Sequence, residues 1–389
     1  MKPHYEEFLQ NHLKDKLPFN YDNNEKSFKE CLKADLEKYE EDVKEKGILN
    51  STQINKLENL IKGINRSIGF YYRGNTNEAY TRFKEGVDEI RSELLVLSNE
   101  TLPSQKLYRI RLSEDAESTM FNCNEMFHIP FEKRHMVNTQ RFSIPGLPAI
   151  YLGSSLYVCW EELGRPNFKN IKASLYKYRE RVNDKIINLG LSHNELRRAC
   201  NRQEMERENN TVIEETDIFS TYCLVWPLIA ACSVKVKEKK AAFKAEYIIP
   251  QLLSQYVAFT KEEFVGISYL SVSGANYEET NQELFCNYFF PVRTSEEKGH
   301  CRKLINTFQL TKGVPWQIFE IYKGEQEMGA FNGQDEIHRL PLHFEDIKSS
   351  ISFFYGDTDF GKFENFLNRS LEVQSLNSTR QVPERQEQI

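Results

Sequence analysis

Between Gln140 and Pro166 the chain gathers Arg141 and Arg165, three prolines, three glycines, Tyr151 and Tyr157, and the adjacent pair Glu161 and Glu162, around two apolar runs. Guanidinium groups pair with phosphate or carboxylate oxygens in a bidentate fork. A fixed carboxylate can stabilise positive charge that develops in a transition state, or move a proton. Arg109 and Arg111 stand two apart in Leu-Tyr-Arg-Ile-Arg-Leu, so on a strand both face one side. If that side meets the core, two guanidiniums are buried, which is costly unless each meets an anion; if it meets water, they are ordinary surface charges. On a helix Glu161 and Glu162 point about 100 degrees apart, so one can enter a cleft while the other stays solvated. Both could equally lie on a solvated face. Ser268 and Ser271 flank Tyr269 and Leu270 in a late apolar run, and alone each reads as a strand residue.

These residues need elements to carry them. Residues 26–97 have the three- and four-residue apolar spacing of helices, with stripes through Phe28–Val43, Ile54–Ile68 and Tyr80–Leu94. Gly47 ends the first helix and Ser51 is the expected cap of the second. Strands are expected over 107–112, 149–153, 173–178, 185–189, 266–272 and 286–292. Helices are expected from Leu156, over 221–234 with Pro227 breaking or kinking it, and from Ala245. Strands and helices mixed in this order indicate an α+β or α/β protein with an N-terminal helical domain followed by a mixed sheet domain. The expected division is 1–100 for the helical domain, 101–371 for the sheet domain with an exposed polar insertion near 194–216, and 372–389 for a disordered tail rich in Gln, Glu, Asn and Ser. The helical front reads first as a packing or oligomerisation unit, and a homo-oligomer is expected.

Composition narrows the function. The 389 residues carry a net charge of −6, which argues against a nucleic-acid partner. No apolar run is long enough to span a membrane, and the first residues have no signal-peptide pattern. Eight scattered cysteines form no Cys-x-x-Cys and lie beside no suitably spaced histidine pair, so reduced thiols in the cytoplasm are expected and no metal. His128 reads as a core or loop histidine. No Gly-x-Gly-x-x-Gly after a strand, no P-loop and no His-Glu-x-x-His is present.

The order of parts then carries a resemblance: Tyr-Arg-Ile-Arg, Gln-Arg-Phe-x-x-Pro-Gly-x-Pro-x-x-Tyr, Glu162 eleven residues after that tyrosine, Glu-Tyr-Ile-Ile-Pro-Gln-Leu-Leu, and Gly-Ile-x-Tyr-x-Ser-Val. This resembles the RES domain family over residues 103–295. Members of that family are bacterial toxins, usually paired with an antitoxin, that destroy NAD, on a fold related to ADP-ribosyltransferases. The resemblance implies catalytic roles for Arg109, Glu162 and Ser271. It implies substrate-binding roles for Arg141, Tyr151, Tyr108, Arg111 as the alternative strand arginine, and Glu161 as the register alternative. Gln140 stands where a glycine is usual, and the chain is about twice the family's usual length.

NAD is then a substrate rather than a cofactor, cleaved through an oxocarbenium-like state. The implied protein is an NAD glycohydrolase or phosphorylase acting as a toxin or anti-phage effector, held off by an antitoxin or released by an immune trigger. The acceptor, water or inorganic phosphate, stays open. The alternatives are a mono-ADP-ribosyltransferase and a non-catalytic interaction protein.

Overall fold

In a computed structural model of the chain, the described residues are 1–13, 17–21, 26–98, 106–113, 119–179, 184–208, 217–259, 263–272, 282–326, 341–343, 352–370 and 372–376. The front of the chain is helical: α1 (Pro3–Phe8), α2 (Phe28–Glu45), α3 (Ser51–Tyr72), α4 (Thr76–Glu89) and α5 (Arg91–Val96). Helix α2 starts at a capping box between Ser27 and Glu30. Helix α3 is capped by Asn50, one residue before the expected Ser51. The Asn50 side chain accepts from the Gln53 amide at 2.9 Å and the Gln53 side chain returns the bond, which leaves Ser51 as the first helical residue.

The remainder builds an eight-stranded sheet from β1 (Lys106–Leu112), β2 (Ala149–Gly153), β3 (Ile171–Tyr178), β4 (Lys185–Leu189), β5 (Phe264–Leu270), β6 (Cys286–Pro291), β7 (Phe308–Leu310) and β8 (Val314–Pro315). The order is β4-β5-β6-β2-β1-β3-β7, with β8 also on β3. Only β4 and β5 run parallel; every other pair is antiparallel. Helices and a mixed sheet match the α+β expectation. Between the strands lie α6 (Cys123–Met126), α7 (Leu156–Glu162), α8 (His193–Glu208), α9 (Ile218–Cys232), α10 (Ile248–Phe259) and α11 (Arg302–Thr307). After them come α12 (Trp316–Gln326), the small β9 (Pro341–His343) and β10 (Ser352–Phe354) pair, and α13 (Asp359–Ser370).

Strand alternation sorts the side chains into two faces. Tyr108, Gly153, Asn287 and Tyr269 are paired in turn across β1, β2, β6 and β5, so they share one face. That first face carries two cores. One lies under α9, α10 and the front helices, and the other lies under α7, α12 and α13. The second face carries Leu107, Ile150, Tyr176, Phe290 and Phe308 against Met126, Phe127 and Phe131.

Three expected boundaries move. The front helices do not close a core of their own: Leu36, Leu60, Ile64 and Val87 share one cluster with Leu224, Ile229, Leu253 and Phe289. The reason is α9, which is buried from Phe219 through Cys232 and runs through Pro227 without ending. Tyr39 of α2 stacks on Trp226 at 4.2 Å and donates to the Cys223 carbonyl at 2.7 Å. A helix apolar all round needs covering on every side, and the front helices cover it. The polar stretch from 194 is a helix to Glu208, anchored by buried Leu196 and Cys200 and by Arg197 against Glu6; residues 209–216 lie outside the described residues. The expected tail begins ordered. Gln374 bridges Leu310 through paired backbone bonds and Leu376 is buried, whereas 377–389 lie outside the described residues.

Candidate functional site

The site is built at an elbow between β2 and α7. Gly153 must lack a side chain: a Cβ there would stand 2.5 Å from Val158 Cγ1 and 2.7 Å from Cys159 Sγ. Ser155 caps α7, accepting from the Val158 amide at 3.1 Å and donating to the Leu284 carbonyl at 2.7 Å. The free Leu156 amide donates at 2.6 Å to Glu364, a carboxylate on α13 that is 1% exposed and also accepts from the Tyr355 hydroxyl at 2.6 Å. An anion at a helix N-terminus is favourable, and here it ties α13 to the start of the helix that carries the two glutamates.

At the other end of α7 the two glutamates diverge, as the helical angle requires. Glu161 turns inward, is 6% exposed, and accepts from Arg165 Nε at 3.0 Å on both oxygens. Arg165 holds a left-handed backbone, φ 58°, to make that turn. Glu162 is exposed at the helix end, and its Oε1 accepts from two side chains, the Ser271 hydroxyl and Asn287 Nδ2, the latter at 2.8 Å. Ser271 follows β5 with its amide donating to the Phe285 carbonyl at 2.7 Å, so its hydroxyl falls on the same face as Tyr269 and Asn287. Of the two glutamates, Glu162 is therefore joined to Ser271 and Glu161 is committed to Arg165.

Arg141 is 8% exposed. Its Nη1 donates to the carbonyls of Cys232 at 3.1 Å and Val234 at 2.9 Å, where α9 ends, and its guanidinium stands 5.4 Å from the centre of the Tyr247 ring. Tyr247 also meets Lys244 Nζ at 5.7 Å. Burial first, then the pull of Arg141 and the push of Glu162, set the Tyr247 phenol, whose pKa ends raised. The buried Tyr269 phenol is raised further; besides burial it feels Tyr151, Glu162, Arg141 and Tyr247. Glu162, Arg141, Tyr247, Tyr269 and Tyr151 thus lie within electrostatic reach of one another.

Tyr151 turns its hydroxyl to the loop before it, accepting from the Phe142 amide at 3.3 Å and bonding the Ser143 hydroxyl at 2.9 Å. Gln251 of α10 holds the same loop through the carbonyls of Gln140 at 3.3 Å and Ser143 at 3.1 Å. The Pro- and Gly-rich segment is thus fixed from both sides, and Arg141 with it.

Arg109, Arg111 and Tyr108 fall elsewhere. Tyr108 is 2% exposed under α7, and its carbonyl accepts from Cys159 Sγ at 3.3 Å, so it is a core residue. Arg109 and Arg111 alternate with it and face the opposite side of the sheet, opposite Ser174 and Lys172 on β3 and toward Tyr176 and α6. One strand cannot send Tyr108 and Arg109 to the same face, and the apolar residues Tyr108 and Ile110 take the face with Glu162. Sequence reasoning did not single out Asn287 or Tyr247. The signal for Asn287 was an amide inside an otherwise apolar strand; Tyr247 stood inside the Glu-Tyr-Ile-Ile motif.

Among the described residues no group of three or more His, Cys, Asp or Glu side chains is placed to hold a metal ion, and no helix is long and apolar enough to cross a membrane. No family model and no solved structure matches the chain. A protein of Bacillus subtilis (strain 168), named "Putative toxin YopC", is 37% identical over 328 residues, covering 82% of this chain and 70% of that protein. Identity at that level over most of both chains places this chain in the same family as YopC.

Proposed function

We propose that the chain is a toxin that cleaves the nicotinamide–ribose bond of NAD, with Glu162 as its central residue. The relative's name supports the toxin role, and the RES-like motif order supports the chemistry. The single observation that carries the reading is the Glu162 carboxylate, held by Ser271 and Asn287, whose charge and that of buried Arg141 both act on Tyr247 and Tyr269.

Bond cleavage builds positive charge on the ribose while the cationic nicotinamide nitrogen becomes neutral. No strong general acid is needed. A carboxylate fixed before the reaction stabilises that charge without reorganising. The Ser271 and Asn287 donors fix one Glu162 oxygen, which settles the direction in which the carboxylate presents its charge. Arg141 and Lys244, both near the Tyr247 ring, supply positive charge suited to the diphosphate. Substrate binding itself would cover the exposed Glu162 and remove water from it. Two carbonyls hold Nη1 of Arg141, so its contribution is mainly a fixed field and its remaining N–H groups. Glu161 belongs to the scaffold in this reading, and so do Arg109, Arg111 and Tyr108.

The test is incubation of the purified chain with NAD, following nicotinamide, with and without inorganic phosphate. Release of nicotinamide with ADP-ribose or its 1-phosphate is expected. No release at micromolar protein in either buffer would overturn the proposal, and label transferred from NAD to a protein band would replace it with ADP-ribosyl transfer. An antitoxin that covers Glu162 is the partner such a toxin requires.

A further inference from the structure

The second face of the sheet holds a cluster of cations that the Glu162 chemistry does not use. Arg109 and Arg111 project from β1 on one side, about 7 Å apart as alternate strand residues stand. Arg111 Nη1 donates to the Glu125 carbonyl, and the neighbouring charge of Arg109 adds to burial in lowering its pKa. Arg109 Nη1 is buried and has no hydrogen-bond partner. The Tyr176 hydroxyl donates to the Met126 carbonyl at 2.5 Å and accepts from the Arg109 guanidinium, which leaves Nη1 as the unpartnered nitrogen.

His300 completes the cluster. Its ring lies 4.9 Å from that of His128 and 5.3 Å from that of Phe127, and its Nε2 is buried without a partner. The ring bonds the His128 backbone, and burial, aided by the Arg111 charge, holds its pKa below the usual value against the opposing pull of Glu132. The nearby carboxylates are engaged in other work: Glu125 accepts from the Asn122 amide at 2.7 Å and Glu132 from the Gly299 amide at 2.7 Å. Neither arginine ion-pairs with a carboxylate among the described residues. Both guanidiniums are partly withdrawn from water, where an anionic partner is worth more than at the open surface.

We infer that Arg109, Arg111 and His300 form a second ligand site, on the face of the sheet opposite Glu162, for a phosphate group that carries a proton. The guanidiniums donate to the anionic oxygens, as such forks do for phosphate. The neutral His300 Nε2 has only a lone pair to offer, so it accepts from a P–OH. Hydrogen phosphate or a phosphate monoester monoanion fits both demands. Sulfate satisfies the arginines and leaves Nε2 unpaired, which gives the site a means of discrimination. The inference stands apart from NAD cleavage, because neither arginine shares the face of Glu162.

The experiment is titration of the full-length chain with inorganic phosphate, AMP and sulfate at constant ionic strength and pH 7, by calorimetry and by NMR of 13C,15N-histidine-labelled protein. Phosphate or AMP should bind at one site outside the Glu162 cleft and shift the His300 ring signals, assigned with His300→Gln. Tighter binding of AMP identifies a monoester, and tighter binding of inorganic phosphate identifies the free ion. Sulfate should bind about tenfold more weakly than the better of the two. Arg109→Gln should abolish the binding, and Arg141→Gln should leave the His300 shift intact. If Arg109→Gln does not fold, His300→Gln should bring phosphate and sulfate to equal affinity. Unmoved His300 signals at millimolar phosphate and AMP, or equal affinity for phosphate and sulfate in the unsubstituted chain, would overturn the inference.

Discussion

The two faces of the sheet place charge differently. On the first face the carboxylate of Glu162 sits at a helix end, open to solvent, and two donors from separate strands converge on one of its oxygens. On the second face Arg109 and Arg111 are drawn in among aromatic rings, and Arg109 keeps a buried N–H with nothing to bond. One face holds a completed polar cluster within reach of a ligand. The other holds donors that await one. The contrast teaches that the residue types suited to chemistry do not locate a site by themselves; what marks it is whether separate elements bring complementary partners to the same atom.

The first-face reading is most exposed to Glu162→Gln. The substitution keeps size and changes an exposed side chain, so the thermal midpoint should hold within about 2 °C while NAD cleavage falls by about 10³-fold, measured as nicotinamide release. Retained activity would remove Glu162 from the chemistry. Next is Glu364→Ala, which strips the partner from the Leu156 amide and the Tyr355 hydroxyl inside the core. Urea unfolding should show a loss of about 3 kcal/mol. A loss below about 1 kcal/mol would mean that the first turn of α7 does not depend on α13.

Asn287→Ala should leave the Ser271 bond to Glu162 in place and lower kcat by about 30-fold with little change in KM, because it loosens the carboxylate rather than the substrate. An effect on KM alone would make Asn287 a substrate contact instead. A pH-dependent effect belongs to the second face. His128 Nε2 accepts from the Cys301 amide at 2.9 Å and its Nδ1 bonds the Ile129 carbonyl at 2.7 Å, so a second ring proton would point at an amide hydrogen. Burial foremost, with His300 and Arg109 nearby, pushes its pKa down from 6.5 to about 3. Above about pH 6.5 the ring is neutral folded or unfolded. As pH falls below that, the unfolded chain takes a proton that the folded chain refuses until about pH 3, so stability falls by up to about 1.4 kcal/mol per pH unit. His128→Gln should flatten that slope in urea titrations between pH 6.5 and 4; an unchanged slope would place the proton uptake elsewhere.

Much of the first face was legible in the chain. Apolar alternation marked β1, and the step from an apolar run through Gly-Ser-Ser marked the β2–α7 elbow. The order of motifs singled out Ser271 and Glu162, 109 positions apart, as site residues, but not the hydrogen bond that joins them. Local patterning could not assign the faces. Tyr108, Arg109, Ile110 and Arg111 alternate cleanly, yet which pair meets which layer depends on the register with β3 and β2. The division at residue 100 was misleading for a related reason. The stripes on α3 and α4 describe a helical unit correctly, but no local spacing tells that the surface they cover is α9, more than 120 residues away. The polar stretch from 194 hid a helix because Leu196 and Cys200 are few against many charges.

The apolar girth of α9 has a practical consequence. A shortened chain starting at β1 would keep every strand of the large sheet and every proposed catalytic group, yet it would lay bare Trp226 and Cys223 where Tyr39 now covers them. Such a fragment should clump rather than poison a cell. Removal of the leading helices is therefore expected to inactivate the protein rather than to activate it.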